Sequence, residues 1–204
     1  MSSLNEMYEY HCKTPSDIYE HLPVLYKYSK ECSVIAECGV RSVVSSWAFA
    51  KGLKDSGNSN TKLIGIDLYY DQNLNAFKNI VKANGINYYF ILGNDIMVDI
   101  PKVDILFIDT WHVYAHLKRE LEKHYNSVNK YIILHDTTVD GEYGETIRAG
   151  WNAAQQAIDS GYEESEICKG LWYAVEEFLI AHPEFVLKER LTNNNGLTIL
   201  QRIS

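Results

Sequence analysis

The sequence predicts an α/β protein built on one doubly wound, mostly parallel sheet of seven strands, with an N-terminal helical cap and an antiparallel C-terminal hairpin. Three observations support this prediction. Five short apolar runs alternate with helix-like segments. Two of these runs, 105–108 and 131–134, are continuously apolar, as expected for central strands that are buried on both faces. The tail adds two further runs joined by a turn that ends in Asn-Gly.

The periodicity places each element in chain order. Helical spacing covers residues 4–30, with a helix start predicted at Ser16 and Asp17, after Pro15. The remaining elements alternate along the chain: strands at 33–39, 62–68, 88–94, 103–109 and 130–136, helices at 43–53, 73–85, 113–125, 146–158 and 171–182, and a hairpin of 184–190 and 197–202.

Length and composition favour one globular domain, with residues 1–31 as the helical cap and 32–204 as the core. A formal net charge of -8 disfavours nucleic acid and favours a small-molecule or glycan partner. No apolar run is long enough to cross a membrane and no secretory pattern opens the chain, so we expect a cytoplasmic protein. The four cysteines lack paired metal-ligand spacing, so reduced thiols are expected.

Polar or acidic side chains end every predicted parallel strand. In open α/β sheets, ligands bind beyond the carboxyl ends of the strands. One acid in such a place is commonly only a helix N-cap, but five together indicate a ligand site. The five strand ends are Glu37-Cys38-Gly39, Asp67, Gly93-Asn94-Asp95, Asp109 and His135-Asp136.

These strand ends carry a family resemblance. The E-x-G motif, the acid after the second strand, and the segments FIDTWHVYAHLKREL and KYIILHDTT resemble class I S-adenosylmethionine (SAM)-dependent methyltransferases, which have a Rossmann-like sheet. With AVEEFLIAHPEF and NNNGLTILQR, the segments are similar to the sugar and macrolide O-methyltransferase and cephalosporin-hydroxylase-like group. The resemblance spans about residues 33–202. It implies an enzyme that methylates a hydroxyl of a sugar, a glycan or a glycosylated small molecule.

The resemblance also implies a cofactor site. Glu37 and Gly39 would border the methionine and ribose of SAM, Asp67 would accept hydrogen bonds from both ribose hydroxyls, and Asn94 and Asp95 would lie near the adenine. A carboxylate suits two hydroxyl donors, and a glycine lets the backbone approach a ligand closely.

The loop after Gly39 departs from the family pattern. Relatives carry glycines there, whereas this chain reads VRSVVSS over 40–46, so we expect a differently shaped loop in which Ser45 or Ser46 supplies a hydroxyl. This departure favours one alternative, a non-catalytic SAM-binding module.

The fourth and fifth strand ends predict the chemistry. By resemblance, Asp109 and Asp136 would hold a divalent cation, with His135 or Thr137 completing the shell, and Asp109 would also border SAM. Oxygen ligands in a partly solvated site favour Mg²⁺. His112, three residues after Asp109, is the predicted general base, with Asp109 and His135 as further catalytic groups and His135 as the next candidate base.

Other interpretations stay open at this point. His112 and His116 are spaced i and i+4, which would suit zinc on one helix face. A nitrogen acceptor or a hydroxylase-like reaction is the second enzymatic reading, while the missing G-x-G-x-x-G argues against a dinucleotide site. A sugar ring could stack on one or two aromatic side chains of this region, which are Tyr69, Tyr70, Trp111, Tyr114, Tyr143, Trp172 and Tyr173.

Overall fold

The computed structural model describes residues 3–204 and contains one seven-stranded sheet. Its spatial order is β3-β2-β1-β4-β5-β7-β6, with parallel pairing from β3 to β5 and antiparallel pairing for β5 with β7 and for β7 with β6. The strands are β1 Val34–Cys38, β2 Lys62–Asp67, β3 Asn87–Leu92, β4 Val103–Ile108, β5 Val128–His135, β6 Phe185–Leu191 and β7 Leu197–Arg202. The predicted sheet is therefore confirmed.

Helices cover both faces of the sheet. One apolar cluster joins α1, α2, α3 and α4 to one face, and a second joins α5 and α9 to the other. The helices are α1 Leu4–Lys13, α2 Leu22–Ser29, α3 Val44–Asp55, α4 Asn73–Ala83, α5 Tyr114–His124, α6 Glu145–Arg148, α7 Ala153–Ser160, α8 Glu164–Ile167 and α9 Leu171–Ala181. Within residues 3–204, no helix combines the length and apolar character that a membrane span requires.

The N-terminal cap is two helices, and neither begins at the predicted Ser16. Helix α1 begins at Leu4, where Ser3 and Glu6 form a capping box by exchanging side-chain and backbone hydrogen bonds. Helix α2 begins only at Leu22, because the preceding turn Tyr19–His21 is a 3₁₀ helix. All four cysteines are free, as expected.

The predicted helix over 146–158 is broken in the structure. Gly150 adopts a left-handed conformation with φ 68°, which ends α6, and Asn152 caps a new helix by accepting from Gln155 N. Glycine tolerates this conformation without a steric penalty, so the break occurs where the sequence allows it.

The functional edge of the sheet lies where β1 and β4 are neighbours. From β1 the chain winds outward through β2 and β3, and from β4 it winds the other way through β5, which leaves a crevice between the two strand ends. Gly39 follows β1 with φ 84°, and a Cβ atom there would overlap the backbone oxygen of Asp109. Glycine is therefore required for these two strand ends to meet.

Candidate active site

A cavity of about 890 Å³ opens at this edge. Its floor contains five of the residues predicted to bind the cofactor, which are Gly39, Asp67, Asn94, Asp95 and Asp109. This size suits a small-molecule ligand. The carboxyl ends of the strands thus bring together residues that are up to 70 positions apart in the chain.

Asp67 organises the loop that borders the cavity. Its Oδ2 accepts from the backbone N–H groups of Val40 at 2.9 Å and Arg41 at 2.7 Å, and its Oδ1 accepts from Tyr69 N at 2.9 Å. A carboxylate offers about four lone-pair positions, so about one remains, on Oδ1. Asp67 could therefore accept hydrogen bonds from both ribose hydroxyls in one of two ways. Either a loop N–H group would release Oδ2, or the two hydroxyls would share the remaining position on Oδ1.

The loop adopts glycine-like backbone angles without glycine. Arg41 has φ 47° and Val43 has φ 72°, both in the left-handed region. This conformation is costly for a β-branched residue, and here the buried Val43 side chain and the Asp67 hydrogen bonds offset the cost. The missing glycines therefore do not prevent a tight loop.

Glu37 and Ser45 lie behind this loop. Glu37 is fully buried and accepts hydrogen bonds from the hydroxyls of Ser45 and Ser46. Burial raises the pKa of Glu37 to about 8, although the two serines partly counter that rise. Ser45 also borders a smaller cavity of about 300 Å³ on the far side of Gly39, next to Asp17.

Four predicted catalytic and metal-binding residues meet beside the large cavity, and one of them, Asp109, lines it. His112 Nε2 lies 3.1 Å from Asp109 Oδ1 and 3.1 Å from Asp136 Oδ2. His135 Nδ1 lies 3.2 Å and 3.1 Å from the same two oxygens. His135 Nε2 is 3.3 Å from the backbone oxygen of Asn194, in the β6–β7 turn.

Electrostatics in this cluster favour a positive charge. Burial opposes protonation of His135, but Asp109 and Asp136 outweigh it and raise its pKa to about 10. Burial likewise opposes protonation of His112, whose pKa is nevertheless held well above its ordinary value by Asp109 and Asp140. Burial acts to raise the pKa of Asp109, but His135 and His112 hold it well below its ordinary value.

The donor set fits a divalent cation. Ligand atoms of Asp109, His112 and Asp136 lie within 4.8 Å of one another, and His135 Nδ1 faces the same carboxylates. Two carboxylates and an imidazole are ordinary ligands for a divalent metal ion. Two buried carboxylates that face each other also need a compensating positive charge, which the histidines otherwise supply.

The i, i+4 zinc pair is not formed. His112 precedes α5, which begins at Tyr114, so His112 and His116 do not share a helix face. His116 instead lies 3.3 Å from Asp95 Oδ1 and belongs to a separate buried group with Glu120. Burial and the Asp95 charge raise the pKa of Glu120 well above its ordinary value.

The opposite wall of the cavity was not predicted. It comes from the β5–α9 connection and consists of Glu145, Trp151, Gln156, Asp159, Ser160 and Tyr162. The one sequence signal was the length of this connection, 136–170, because long connections inside a compact domain are commonly functional.

Two of the seven aromatic candidates line the cavity, Tyr69 and Trp111. Trp111 stacks on Tyr162, with the rings 6.1 Å apart and 17° from parallel. Tyr114 is buried and donates to Glu177, and the Trp172 indole donates to Glu176. Tyr114 therefore contributes to packing, and Trp172 makes a surface contact.

Comparisons with solved structures match this architecture over almost the whole chain. A Staphylococcus aureus protein provisionally named a caffeoyl-CoA O-methyltransferase has a TM-score of 0.61 and 17% identity, covering 99% of this chain and 93% of its own. A Podospora anserina methyltransferase with bound SAH has a TM-score of 0.59 and 14% identity, covering 100% and 89%. The chain has the class I methyltransferase fold.

A Bacillus cereus O-methyltransferase in complex with SAH shows the same methyltransferase fold, with a TM-score of 0.59 and 11% identity, covering 98% of this chain and 90% of its own. No protein-family profile and no curated protein sequence matches the chain significantly. Identities this low establish only the fold, so the activity has to be inferred from the residues of the site.

Proposed function

We propose that this protein is a SAM-dependent O-methyltransferase that acts, with a divalent cation, on a hydroxyl of a sugar or glycosylated small molecule. The observation that carries the proposal is that Asp109 belongs both to the large cavity and to the histidine–aspartate cluster. Asp67 and Gly39 line the same cavity, and beside it His112 and His135 join Asp109 to Asp136. The methyltransferase fold supplies the context for both.

The cofactor side would bind the methyl donor through residues of this chain. Asp67 would accept a ribose hydroxyl on Oδ1, and Gly39 would let the donor approach the strand ends. Asn94, Asp95 and Trp111 would surround the adenine, since all three line the cavity beyond Asp67. The donor supplies a sulfonium methyl group, which already has a good leaving group.

The histidine–aspartate cluster around Asp109 would prepare the acceptor oxygen. Asp109, His135 and Asp136 would hold the cation, whose chemistry is to increase the acidity of a hydroxyl bound to it. With the cation compensating the charges of Asp109 and Asp136 in place of a histidine proton, a neutral His112 would take the hydroxyl proton as the O–H bond breaks. The oxygen then bonds to the methyl carbon, whose bond to sulfur breaks with the electron pair remaining on sulfur.

The acceptor class rests on two kinds of support. The segments around Asp109 and His135 resemble sugar and macrolide O-methyltransferases, and Tyr69 and Trp111 offer aromatic faces beside the cavity. The alternative of a non-catalytic module loses its main argument, because the loop without glycines still adopts left-handed angles at Arg41 and Val43.

The test is methyl transfer from SAM to a panel of sugars and glycosides, followed by mass spectrometry in the presence of Mg²⁺. We expect transfer to at least one hydroxyl, and we expect His112→Gln to lower kcat by about 10²-fold with nearly unchanged SAM affinity. SAM binding without transfer to any acceptor, or transfer only to nitrogen acceptors, would overturn the O-methyltransferase assignment. Normal kcat in His112→Gln would remove His112 as the base.

A further inference from the structure

A second group of potential metal ligands lies apart from the cluster around Asp109. Asp95, His116 and Glu120 are all buried, each offers one ligand atom, and these atoms lie within 4.8 Å of one another. His116 and Glu120 are spaced i and i+4 on α5, so they share one face of that helix. Asp95 comes from the short turn after β3. This group has no residue in common with the cluster around Asp109.

The distances in this group match the spacing of ligands around one metal ion. His116 Nε2 lies 3.3 Å from Asp95 Oδ1 and 3.9 Å from Glu120 Oε1. Both distances exceed the roughly 2.7–3.2 Å of an ordinary N–H···O hydrogen bond. Ligand atoms that lie about 2.0–2.2 Å from a tetrahedral zinc ion are about 3.3–3.6 Å from each other. An ion in place of a proton would therefore contact all three side chains after small shifts.

The two carboxylates of the group lack sufficient partners. Glu120 is fully buried and Asp95 is only 7% exposed. Asp95 Oδ2 and Glu120 Oε2 have no hydrogen-bond partner among the described residues. Two buried carboxylates this close together need compensating positive charge, and one imidazole supplies at most a single charge. A divalent cation would balance both carboxylates.

Neighbouring groups orient these side chains. The Thr110 hydroxyl donates to Glu120 Oε1 at 2.7 Å, and the Tyr162 hydroxyl lies 3.4 Å from His116 Nδ1. A histidine that binds a metal ordinarily has such a partner for its other ring nitrogen. Asp95 and His116 also line the large cavity, which gives an ion a route from the solvent.

We propose that Asp95, His116 and Glu120 form a zinc site that is separate from the Mg²⁺ site proposed above. The imidazole nitrogen favours zinc, because Mg²⁺ prefers oxygen ligands. Three protein ligands leave a fourth position for a water molecule. A carboxylate that binds the ion through one oxygen keeps the other, so Asp95 remains available to the adenine proposed above. The ion joins α5 to the turn after β3 and so fixes this wall of the cavity.

The first test is the zinc content of the full chain without SAM or SAH. The protein is treated with EDTA, freed of it, and equilibrated with Zn²⁺ in the presence of Mg²⁺, and bound zinc is measured by inductively coupled plasma mass spectrometry. Glu120→Gln should remove one zinc equivalent from the wild type and also from Asp136→Asn, because the two sites share no ligand. Glu122→Gln should remove none, because Glu122 lies on the same helix in a surface pair with His182.

The second test is the affinity of the site, measured by titration calorimetry with Zn²⁺. Loss of a partner of a metal ligand costs about 10–100-fold in metal affinity, so loss of the ligand Glu120 or His116 should cost at least about 100-fold. Glu120→Gln keeps the size of the side chain, so it is expected to fold even where His116→Gln does not. Circular dichroism confirms that each variant is folded.

Anomalous scattering from crystals soaked in Zn²⁺ locates the ion directly. We expect a peak about 2.0–2.2 Å from His116 Nε2. Zinc bound equally well by Glu120→Gln, His116→Gln and Glu122→Gln, or found only at the cluster around Asp109, would overturn the proposal. The group would then hold a proton in place of a cation. Because these measurements use neither SAM nor an acceptor, failure of the proposed methyl transfer would leave their result unchanged.

Discussion

At the residue scale, Asp67 has two tasks that one substitution can separate. It holds the loop through the N–H groups of Val40 and Arg41, and it has a remaining acceptor position toward the cavity. We expect Asp67→Ala to weaken SAH binding at least tenfold, or about 1.4 kcal/mol, measured by calorimetry. Asp71→Ala, a change in the nearby surface turn, is the control. Unchanged affinity in a folded Asp67→Ala protein would contradict the ribose assignment.

Glu37 predicts a pH dependence of stability. Burial raises its folded-state pKa to about 8 from an ordinary value of 4.5, so the folded protein keeps a proton that the unfolded chain releases. This contribution is fully present below pH 4.5 and is lost as pH rises through about 8. Glu37→Gln should therefore lose less stability than wild type between pH 5 and pH 8.5.

Urea unfolding at the two pH values measures this difference. Because every other titrating group is shared, subtracting the two proteins isolates the contribution of Glu37. Equal losses in the two proteins would show that Glu37 is already ionised in the folded state at pH 5.

At the scale of elements, His21 joins the N-terminal cap to the C-terminal hairpin. Its Nε2 lies 2.9 Å from Asn193 O and 3.1 Å from Asn194 O, and Asn194 O also faces His135 Nε2. The same turn therefore contacts both the cap and the proposed cation site.

We expect His21→Ala to lower the free energy of unfolding by about 1–3 kcal/mol, because it leaves a buried gap and an unpaired carbonyl. Urea denaturation measures the loss, with the exposed Lys13→Ala as the control. We also expect a shift in the His135 ring signals. Stability within about 0.5 kcal/mol of wild type would mean that the cap and the hairpin are not coupled through this contact.

At the scale of the whole molecule, a bound cation should stabilise the folded chain. The ligands Asp109, His135 and Asp136 come from two strands, and the unfolded chain does not bring them together. After EDTA treatment, adding Mg²⁺ at about 100 times its Kd should raise the free energy of unfolding by about 2.7 kcal/mol. Thermal unfolding with and without Mg²⁺ measures this effect.

Asp136→Asn should abolish the Mg²⁺ effect, and Asp99→Asn should retain it. The same EDTA treatment should suppress methyl transfer. Full activity after exhaustive EDTA treatment, with no stabilisation by Mg²⁺, would remove the cation and leave Asp109 and Asp136 as partners of the two histidines.

Local patterns were sufficient where a local rule applies. Apolar runs predicted all seven strands; the continuous runs in β4 and β5 reflect burial on both faces, and the Asn-Gly turn predicted the hairpin. The break at Gly150 was missed because one glycine inside a helical pattern is ordinarily tolerated. Helical spacing from residue 4 agrees with the start of α1 at Leu4, but the predicted start at Ser16 is wrong, and the capping box of Ser3 and Glu6 was not used although it is visible in the sequence.

The sequence by itself determined the fold class and the set of polar residues at the strand ends, since strand order along the chain and the position of each strand end are local properties. Only the tertiary structure decided which nitrogen of His112 faces which carboxylate, that His116 joins Asp95 instead of His112, and that Asp140 and Arg148 lie behind the proposed base. These contacts depend on the path of the β5–α9 connection and on side-chain directions across neighbouring strands. Neither leaves a periodic signal in the sequence, because both arise when distant segments pack together.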